Sequence, residues 1–234
     1  MSKILLLGAS GYIGSSFGAE LAGRDCNFIS LSRSKVNYCN FEILRQYIRG
    51  LGGINFLINA AGFAGKPNVE QCEVQREETL QGNLLLPQML SHLAAAEDFR
   101  WLQIGSGCIY DGDNGGAGFT EEDEPNFSFK YDNCSFYSGV KAVAEAYLKE
   151  DPRCYVARLR IPFDEHDRPR NYITKLLTYP ETYDNINSIS HIGDFVRTSL
   201  DLYERDCPTG IYNITNEGSI STREVVAMIQ KILN

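Results

Sequence analysis

The sequence predicts an α/β fold built on a doubly wound parallel sheet, and three observations carry that prediction. Short runs rich in aliphatic and β-branched residues alternate with longer stretches whose apolar residues recur at helical spacing. A glycine-rich turn, Gly8 to Gly14, joins the first run to the first of those stretches. The runs are almost continuously apolar, as strands covered on both faces must be.

In chain order, residues 4–7 are the first expected strand and 12–22 the first helix. Residues 28–31 follow as a strand, 41–49 as a helix and 54–58 as a strand. Residues 69–96 read as two helices broken near Pro87, because proline lacks an N–H and crowds the preceding turn. A strand at 101–104, a helix at 136–149 and a strand at 155–159 continue the alternation. Between them, residues 110–133 are rich in Gly, Asp, Asn and Glu, the composition of a long surface loop beside a site. Beyond Leu159 the rhythm changes: Pro162, Pro169 and Pro180 frame one short helix, followed by a strand at 186–189 and a helix at 194–203. Residues 211–214 form a last strand, and Ser221-Thr222-Arg223-Glu224 is a capping box opening a helix through Ile232. We expect a single structural unit, in which residues 1–160 are a dinucleotide-binding core carrying the catalytic residues. Residues 161–234 are expected to form a small substrate lobe interleaved with it.

The chain of 234 residues is 43% hydrophobic, enough for a full α/β core. Its formal charge of −8 disfavours nucleic acid as a partner, since no basic stripe exists to displace phosphate counterions. Seven scattered cysteines, never spaced as CxxC, disfavour both a disulfide framework and a zinc site and point to a reducing cytoplasm. His92, His166 and His191 show no ligand spacing, so no metal is expected. The apolar run after Met1 is too short for a signal peptide, and no stretch approaches the roughly 20 apolar residues of a membrane span. A soluble cytoplasmic protein without membrane contacts is therefore expected.

Gly8-Ala9-Ser10-Gly11-Tyr12-Ile13-Gly14 follows a strand and opens a helix, the setting of a Rossmann-type dinucleotide site. Its glycines permit a tight turn and close backbone approach, and the helix N-terminus offers free N–H groups to a pyrophosphate. After the second strand the usual ribose-binding carboxylate is absent, and Ser32-Arg33-Ser34 stands instead. Arg33 suits a 2′-phosphate, so NADPH is the expected cofactor, with NADH also open.

Two later segments read as an active site: Gly105-Ser106-Gly107-Cys108-Ile109-Tyr110 and Tyr137-Ser138-Gly139-Val140-Lys141. Tyr137 and Lys141 share one helix face, so the ammonium is expected to favour ionisation of the phenol. Ser106 and Cys108, at a strand end, add a hydroxyl and a thiol.

With Asn59-Ala60-Ala61-Gly62 after the third strand, these motifs resemble the extended short-chain dehydrogenases/reductases. Within that superfamily, INAAGFAGKPNVEQCE, GSGCIYDGDNGGAGF, SFYSGVKAVAE, RLRIPF, PRNYITKLLTY and GIYNITNEG resemble the nucleotide-rhamnose synthase/epimerase-reductase family, over Gly8 to about Met228. That family inverts two stereocentres of UDP-4-keto-6-deoxyglucose and then reduces the ketone. The related dTDP-4-dehydrorhamnose reductase only reduces.

The resemblance implies that Tyr137 protonates the ketone oxygen, Ser106 shares that oxygen, and Lys141 holds the cofactor ribose and lowers the tyrosine pKa. Inversion needs an acid/base pair beside the ketone. By family position that pair is Cys108 and Lys175, the latter in Arg170-Asn171-Tyr172-Ile173-Thr174-Lys175. Asn59, Ala60, Ala61, Gly62, Asn83 and Ile161 are implied near the cofactor, and a homodimer is expected. Lys66, Asn68, Arg170 and Asn171 are candidates for the nucleotide-sugar substrate, while Arg168 reads as a surface charge. Related chains continue beyond the last predicted helix, whereas this sequence stops at Asn234, so UDP versus dTDP stays open. A sugar dehydratase is disfavoured because that class carries an Asp-Glu pair where Gly107-Cys108 stand. A reductase without epimerase activity and a catalytically silent, cofactor-binding regulatory subunit remain alternatives.

Overall fold

The structure, a computed structural model, describes residues 3–233. Strand β1 (Lys3–Leu7) reads KILLL and is buried from Ile4 to Leu7. A strand apolar on both faces must be covered on both, and helical crossovers provide that cover. In order follow α1 (Tyr12–Gly23), β2 (Asn27–Leu31), α2 (Phe41–Gly50), β3 (Phe56–Asn59), α3 (Arg76–Leu80), α4 (Leu86–Glu97) and β4 (Arg100–Ser106). After a long loop come α5 (Phe136–Leu148), β5 (Cys154–Leu159), β6 (Pro162–Phe163), α6 (Tyr172–Thr178), β7 (Ile186–Asn187) and β8 (Ser190–His191). The chain closes with α7 (Ile192–Glu204), β9 (Gly210–Asn213), β10 (Ile220–Ser221) and α8 (Thr222–Leu233).

The central sheet has six strands in the order β2-β1-β3-β4-β5-β9, and every neighbouring pair is parallel. The strand order reverses at β1, which opens a crevice beyond the carboxyl ends of β1 and β3. Leu44, Ile48, Leu90, Leu93 and Trp101 fill one face of the sheet; Phe17, Leu21, Phe195 and Leu200 fill the other. The edge strand β9 comes from the carboxy-terminal part of the chain, and α7 packs beside α1.

Three expected elements differ. The third strand starts at Phe56 rather than Ile54, because Asn55 is spent on β1: its N–H donates to the Lys3 carbonyl and its Oδ1 accepts from Lys3 N. The stretch 69–96 breaks at Val74-Gln75, between a 3₁₀ turn at Val69–Glu73 and α3, not at Pro87. A π-turn at Gln81–Leu85 feeds straight into α4, and Pro87 sits in the first turn of α4, where its missing N–H costs little. The expected strand at 186–189 is two short ones: β7 pairs antiparallel with β10, and β8 pairs parallel with β6.

The loop over 110–133 is pinned by its own contacts. Asp111 and Asn126 exchange two 2.8 Å hydrogen bonds, and the Tyr110 and Phe119 rings stack at 4.4 Å. It docks on α5 through Phe129, whose ring lies where a Gly139 Cβ would come within 2.3 Å. Only glycine permits that contact on the helix carrying Tyr137.

Candidate active site

The turn after β1 leaves no room for side chains. Gly8 has φ +76°, and a Cβ there would meet Ala61 N at 2.5 Å. A Cβ on Gly14 would lie 2.1 Å from the Gly8 carbonyl oxygen. The helix is thereby drawn against the strand ends, with Gly11 as N-cap donating to Gly8 O at 3.0 Å. No side chain caps α1, so its first-turn N–H groups keep their capacity for an anion. A cleft of about 640 Å³ begins here, lined by Gly8, Ser10, Gly11 and Arg33. A second cavity of about 650 Å³ adjoins it, sharing Gly11, Ala60, Ala61, Gly62 and Phe63.

The inner cavity collects Ser106, Cys108, Tyr137, Lys141 and Lys175, with Tyr12, Ile13, Asn83, Ile161 and Arg170 also on its wall. Ser106 ends β4, and its Oγ accepts from Cys108 N at 3.3 Å, turning the chain into a 3₁₀ turn at Gly107–Ile109. Ser135 caps α5, its Oγ accepting from Ser138 N at 3.2 Å, so Tyr137 lies in the first turn. Lys141, one turn on, is buried and donates from Nζ to Ile104 O at 2.8 Å. Burial pushes the Tyr137 phenol well up, with Cys108 and Cys72 adding to the rise while Ser106 and Arg170 oppose it. The shift runs opposite to the lowering expected from Lys141, because the pocket disfavours the phenolate. Tyr137 stays a neutral acid at neutral pH. Burial pushes Lys141 below its usual value, against Cys108 and Glu145. Burial, with Arg170 nearby, pushes Lys175 down as well.

Other expected residues fall elsewhere or are otherwise engaged. Asn59 is fully buried; its Nδ2 donates to Gln103 Oε1 at 2.7 Å and its Oδ1 accepts from Ala61 N at 3.2 Å, which shapes the strand end. Asn83, in the π-turn, exchanges two hydrogen bonds with the Phe63 backbone, at 3.2 and 2.6 Å. Gly14 and Ser32 line neither cavity, Gly14 acting by closeness and the Ser32 hydroxyl bonding Ser34 at 3.0 Å. Lys66 is exposed and lines the outer cleft beside Arg33 rather than the inner cavity. Asn68 lines neither, and its buried Oδ1 has no hydrogen-bond partner among the described residues. Asn171 is buried as the cap of α6; its Nδ2 bonds Asp164 and His166 oxygens and its Oδ1 accepts from Ile173 N. Its polar atoms are thus spent inside the fold. Arg170 donates to Ala64 O at 2.9 Å and Gly65 O at 2.5 Å, and Arg168 donates to Ser15 Oγ at 3.0 Å over the Tyr12 ring. Arg168 is thus a strut rather than a solvated charge.

Sequence reasoning passed over Arg160 and Gln103, both on the inner wall. RLRIPF carried the resemblance but no chemistry was attached to its second arginine, although an arginine directly after a strand end is a usable signal. Ile161 beside it has φ +40°, strained for a β-branched residue at the cavity wall. Among the described residues, no group of three or more His, Cys, Asp or Glu could hold a metal ion, and no helix is long and apolar enough to cross a membrane.

Comparison with known proteins places this geometry. The chain is 34% identical over 184 residues to a bifunctional dTDP-4-dehydrorhamnose 3,5-epimerase/dTDP-4-dehydrorhamnose reductase of Arabidopsis thaliana, covering 76% of this chain and 59% of that one. It is 31% identical over 240 residues to a trifunctional UDP-glucose 4,6-dehydratase/UDP-4-keto-6-deoxy-D-glucose 3,5-epimerase/UDP-4-keto-L-rhamnose-reductase of the same plant, covering 99% of this chain and 34% of that one. The chain thus spans between about a third and three fifths of the length of these two relatives. Its fold superposes on the crystal structure of a UDP-rhamnose synthase from Acanthamoeba polyphaga mimivirus with a TM-score of 0.89 and 25% identity, covering 99% of this chain and 80% of that one. The family model described as RmlD substrate binding domain matches residues 2–233, and the chain belongs to that family.

Proposed function

We propose that this chain is an NADPH-dependent epimerase/reductase of a nucleotide-linked 4-keto-6-deoxy sugar, giving UDP- or dTDP-rhamnose. The observation that carries the reading is the convergence of Ser106, Cys108, Tyr137, Lys141 and Lys175 on one cavity continuous with the glycine-rich cleft. That cleft fits a dinucleotide, since its floor is a glycine turn packed so tightly on the strand ends that a Cβ at Gly8 or Gly14 would strike backbone. In this reading Gly8, Ser10, Gly11 and the α1 N-terminus hold the pyrophosphate, Arg33 the 2′-phosphate and Lys141 the ribose. The bound cofactor supplies hydride to the ketone carbon.

The rest of the chemistry belongs to the side chains. Tyr137, kept neutral by burial, gives its proton to the ketone oxygen as that oxygen becomes an alkoxide, and Ser106 donates a hydrogen bond to the same atom. For inversion, the Cys108 thiolate takes a proton from a carbon flanking the ketone, and the resulting enolate oxygen rests on Ser106 and Tyr137. Lys175, from α6, returns a proton to the opposite face. Burial and the neighbouring Arg170 lower its pKa, which eases release of that proton. The segment 161–234 acts as the substrate lobe, bringing Arg170 and Lys175 to the core that residues 1–160 provide. Seven unpaired cysteines suit a reducing cytoplasm, and a homodimer belongs to the same proposal.

The test is incubation with UDP- and dTDP-4-keto-6-deoxyglucose plus NADPH in deuterated water, followed by product NMR. The native chain is expected to give nucleotide-linked rhamnose with deuterium at both carbons that flanked the ketone. Tyr137→Phe should slow NADPH oxidation by about 10²- to 10⁴-fold, and Cys108→Ser should abolish deuterium wash-in. NADPH oxidation without wash-in leaves a reductase alone. No oxidation with either sugar refutes the enzyme and favours a cofactor-binding regulator.

A further inference from the structure

We infer that Gln103 is a positioning residue for Lys141, the middle of a buried hydrogen-bonded run that ties the ammonium to the turn cradling the cofactor. The inference deepens the proposed reading of Lys141 as the group on the cofactor ribose and rests on it. Gln103 lies in β4 between Leu102 and Ile104 and is 5% exposed. An apolar side chain of similar volume would fill that place, and a buried amide is costly unless both of its ends are hydrogen-bonded. Both ends of this one are. Oε1 accepts from Asn59 Nδ2 at 2.7 Å, and Nε2 donates to Ile104 O at 2.9 Å. Lys141 Nζ donates to that same carbonyl at 2.8 Å.

The shared carbonyl makes the contact directional. Lys141 is buried, and among the described residues its ammonium has no carboxylate partner, since Glu145, one turn on, is committed to Arg158. The ammonium is therefore held by Ile104 O. A carbonyl oxygen has two acceptor positions. With Gln103 Nε2 on one, the ammonium is confined to the other, at the wall of the cavity that Gln103, Ile104 and Lys141 all line. At its far end the run reaches the cofactor turn. Asn59 and Gln103 are register partners on β3 and β4, and Asn59 Oδ1 accepts from Ala61 N at 3.2 Å. Ala60 and Ala61 are the backbone against which Gly8 packs: a Cβ on Gly8 would lie 2.5 Å from Ala61 N and 2.6 Å from Ala60 C. Asn59 is fully buried, so solvent is not at hand to replace a broken link. The strand order brings this about, because β3 lies between β1, which leads into the glycine turn, and β4, which supplies the shared carbonyl. In the proposed reading the same run sets the group on the ribose against the groups on the pyrophosphate.

The experiment reads NADPH binding, which needs no sugar, as a double-variant cycle on the whole chain. Gln103→Met fills the same space without either hydrogen bond. Gln103→Asn keeps an amide that Asn59 can partner, but it is one methylene too short to hold the Ile104 carbonyl as well. In titrations followed by NADPH fluorescence, each should weaken binding by about tenfold with Lys141 present, the worth of one hydrogen bond. In a Lys141→Met background each should change binding by less than about twofold, because the group that Gln103 positions is gone. A thermal melt of every variant establishes that the folded chain is what binds. Native affinity in either Gln103→Met or Gln103→Asn overturns the inference. A loss as large without Lys141 as with it also overturns it, since packing damage alone gives that result. Lys141→Met binding NADPH as tightly as the native chain would instead refute the proposed role of Lys141, and the inference would fall with it.

Discussion

Removing the carboxylate of Glu145 tests how the helix carrying Tyr137 and Lys141 is held. Glu145 on α5 and Arg158 on β5 are 6% and 2% exposed. They form a two-pronged ion pair, Nε to Oε2 at 3.0 Å and Nη2 to Oε1 at 2.7 Å. Burial works against the charge of Arg158, and Glu145, with smaller help from Tyr110 and Glu121, more than offsets it. Glu145→Ala leaves that buried guanidinium without its ion-pair partner and with only the weaker pull of Glu121, a change that costs about 3–5 kcal/mol where one partner of a buried pair is deleted. Three contacts survive: Nη1 donates to Thr120 O and Asn213 Oδ1, each at 3.2 Å, and the guanidinium lies 5.1 Å from the Tyr110 ring centre. These place the loss near the lower bound, about 3 kcal/mol, which for a chain of this length corresponds to a fall in Tm of about 10 °C. Urea denaturation and a thermal melt measure it directly. The companion double variant, Glu145→Met with Arg158→Met, should recover most of the loss, since the cost lies in the orphaned charge. A loss under about 1 kcal/mol in Glu145→Ala, or a double variant no better than the single, would refute the argument.

The glycine-rich turn offers a contrast within one helix. Gly14→Ala puts a Cβ 2.1 Å from Gly8 O and 2.7 Å from Gly8 C, backbone atoms that cannot rotate away, whereas the nearest atom to a Cβ at Gly18 is Leu6 Cδ2 at 3.8 Å. Gly14→Ala should weaken NADPH binding by about 10- to 100-fold, in line with an overpacking cost of about 1–3 kcal/mol, and Gly18→Ala should bind normally. Equal affinities by titration calorimetry would count against the turn as the cofactor cradle. Arg33→Ala should reduce the preference for NADPH over NADH by about tenfold or more in kcat/KM, the worth of a charge-assisted hydrogen bond. A preference that survives the change would remove Arg33 from the 2′-phosphate.

The strands were legible because burial on both faces leaves apolar runs, as in Ile4 to Leu7 and Phe56 to Ile58. The cofactor turn was legible because its requirement is for absent side chains, and glycine states that directly. Pro87 misled because the rule for proline assumes a regular α-helix, and the π-turn ahead of it changes which N–H is needed. Asn171 misled differently: it sits beside Arg170 in the sequence, yet neighbouring residues on a helix start point to different surroundings, one to the cavity and one to Asp164. Arg160 was passed over because its place on the cavity wall depends on Gly107 and Asn187, distant in sequence and adjacent only after β4, β5 and β7 assemble.

The charge of the cavity follows the same division. A chain with net charge −8 has no general attraction for an anion, yet Lys141, Arg160, Arg170 and Lys175 all line one cavity. Burial works against the charge on Lys141, Arg160 and Lys175, which means that each lacks part of the hydration it would have in water. In the proposed reading the diphosphate of the nucleotide sugar would bring counter-charge, and Tyr137 would give up its proton as the ketone oxygen turned anionic beside it. The fold therefore gathers cations in one cavity, so that a small number of positive groups act locally despite the acidic surface. Recognition by such a site depends on the placement of these groups around the ligand, and the net charge of the chain says little about it.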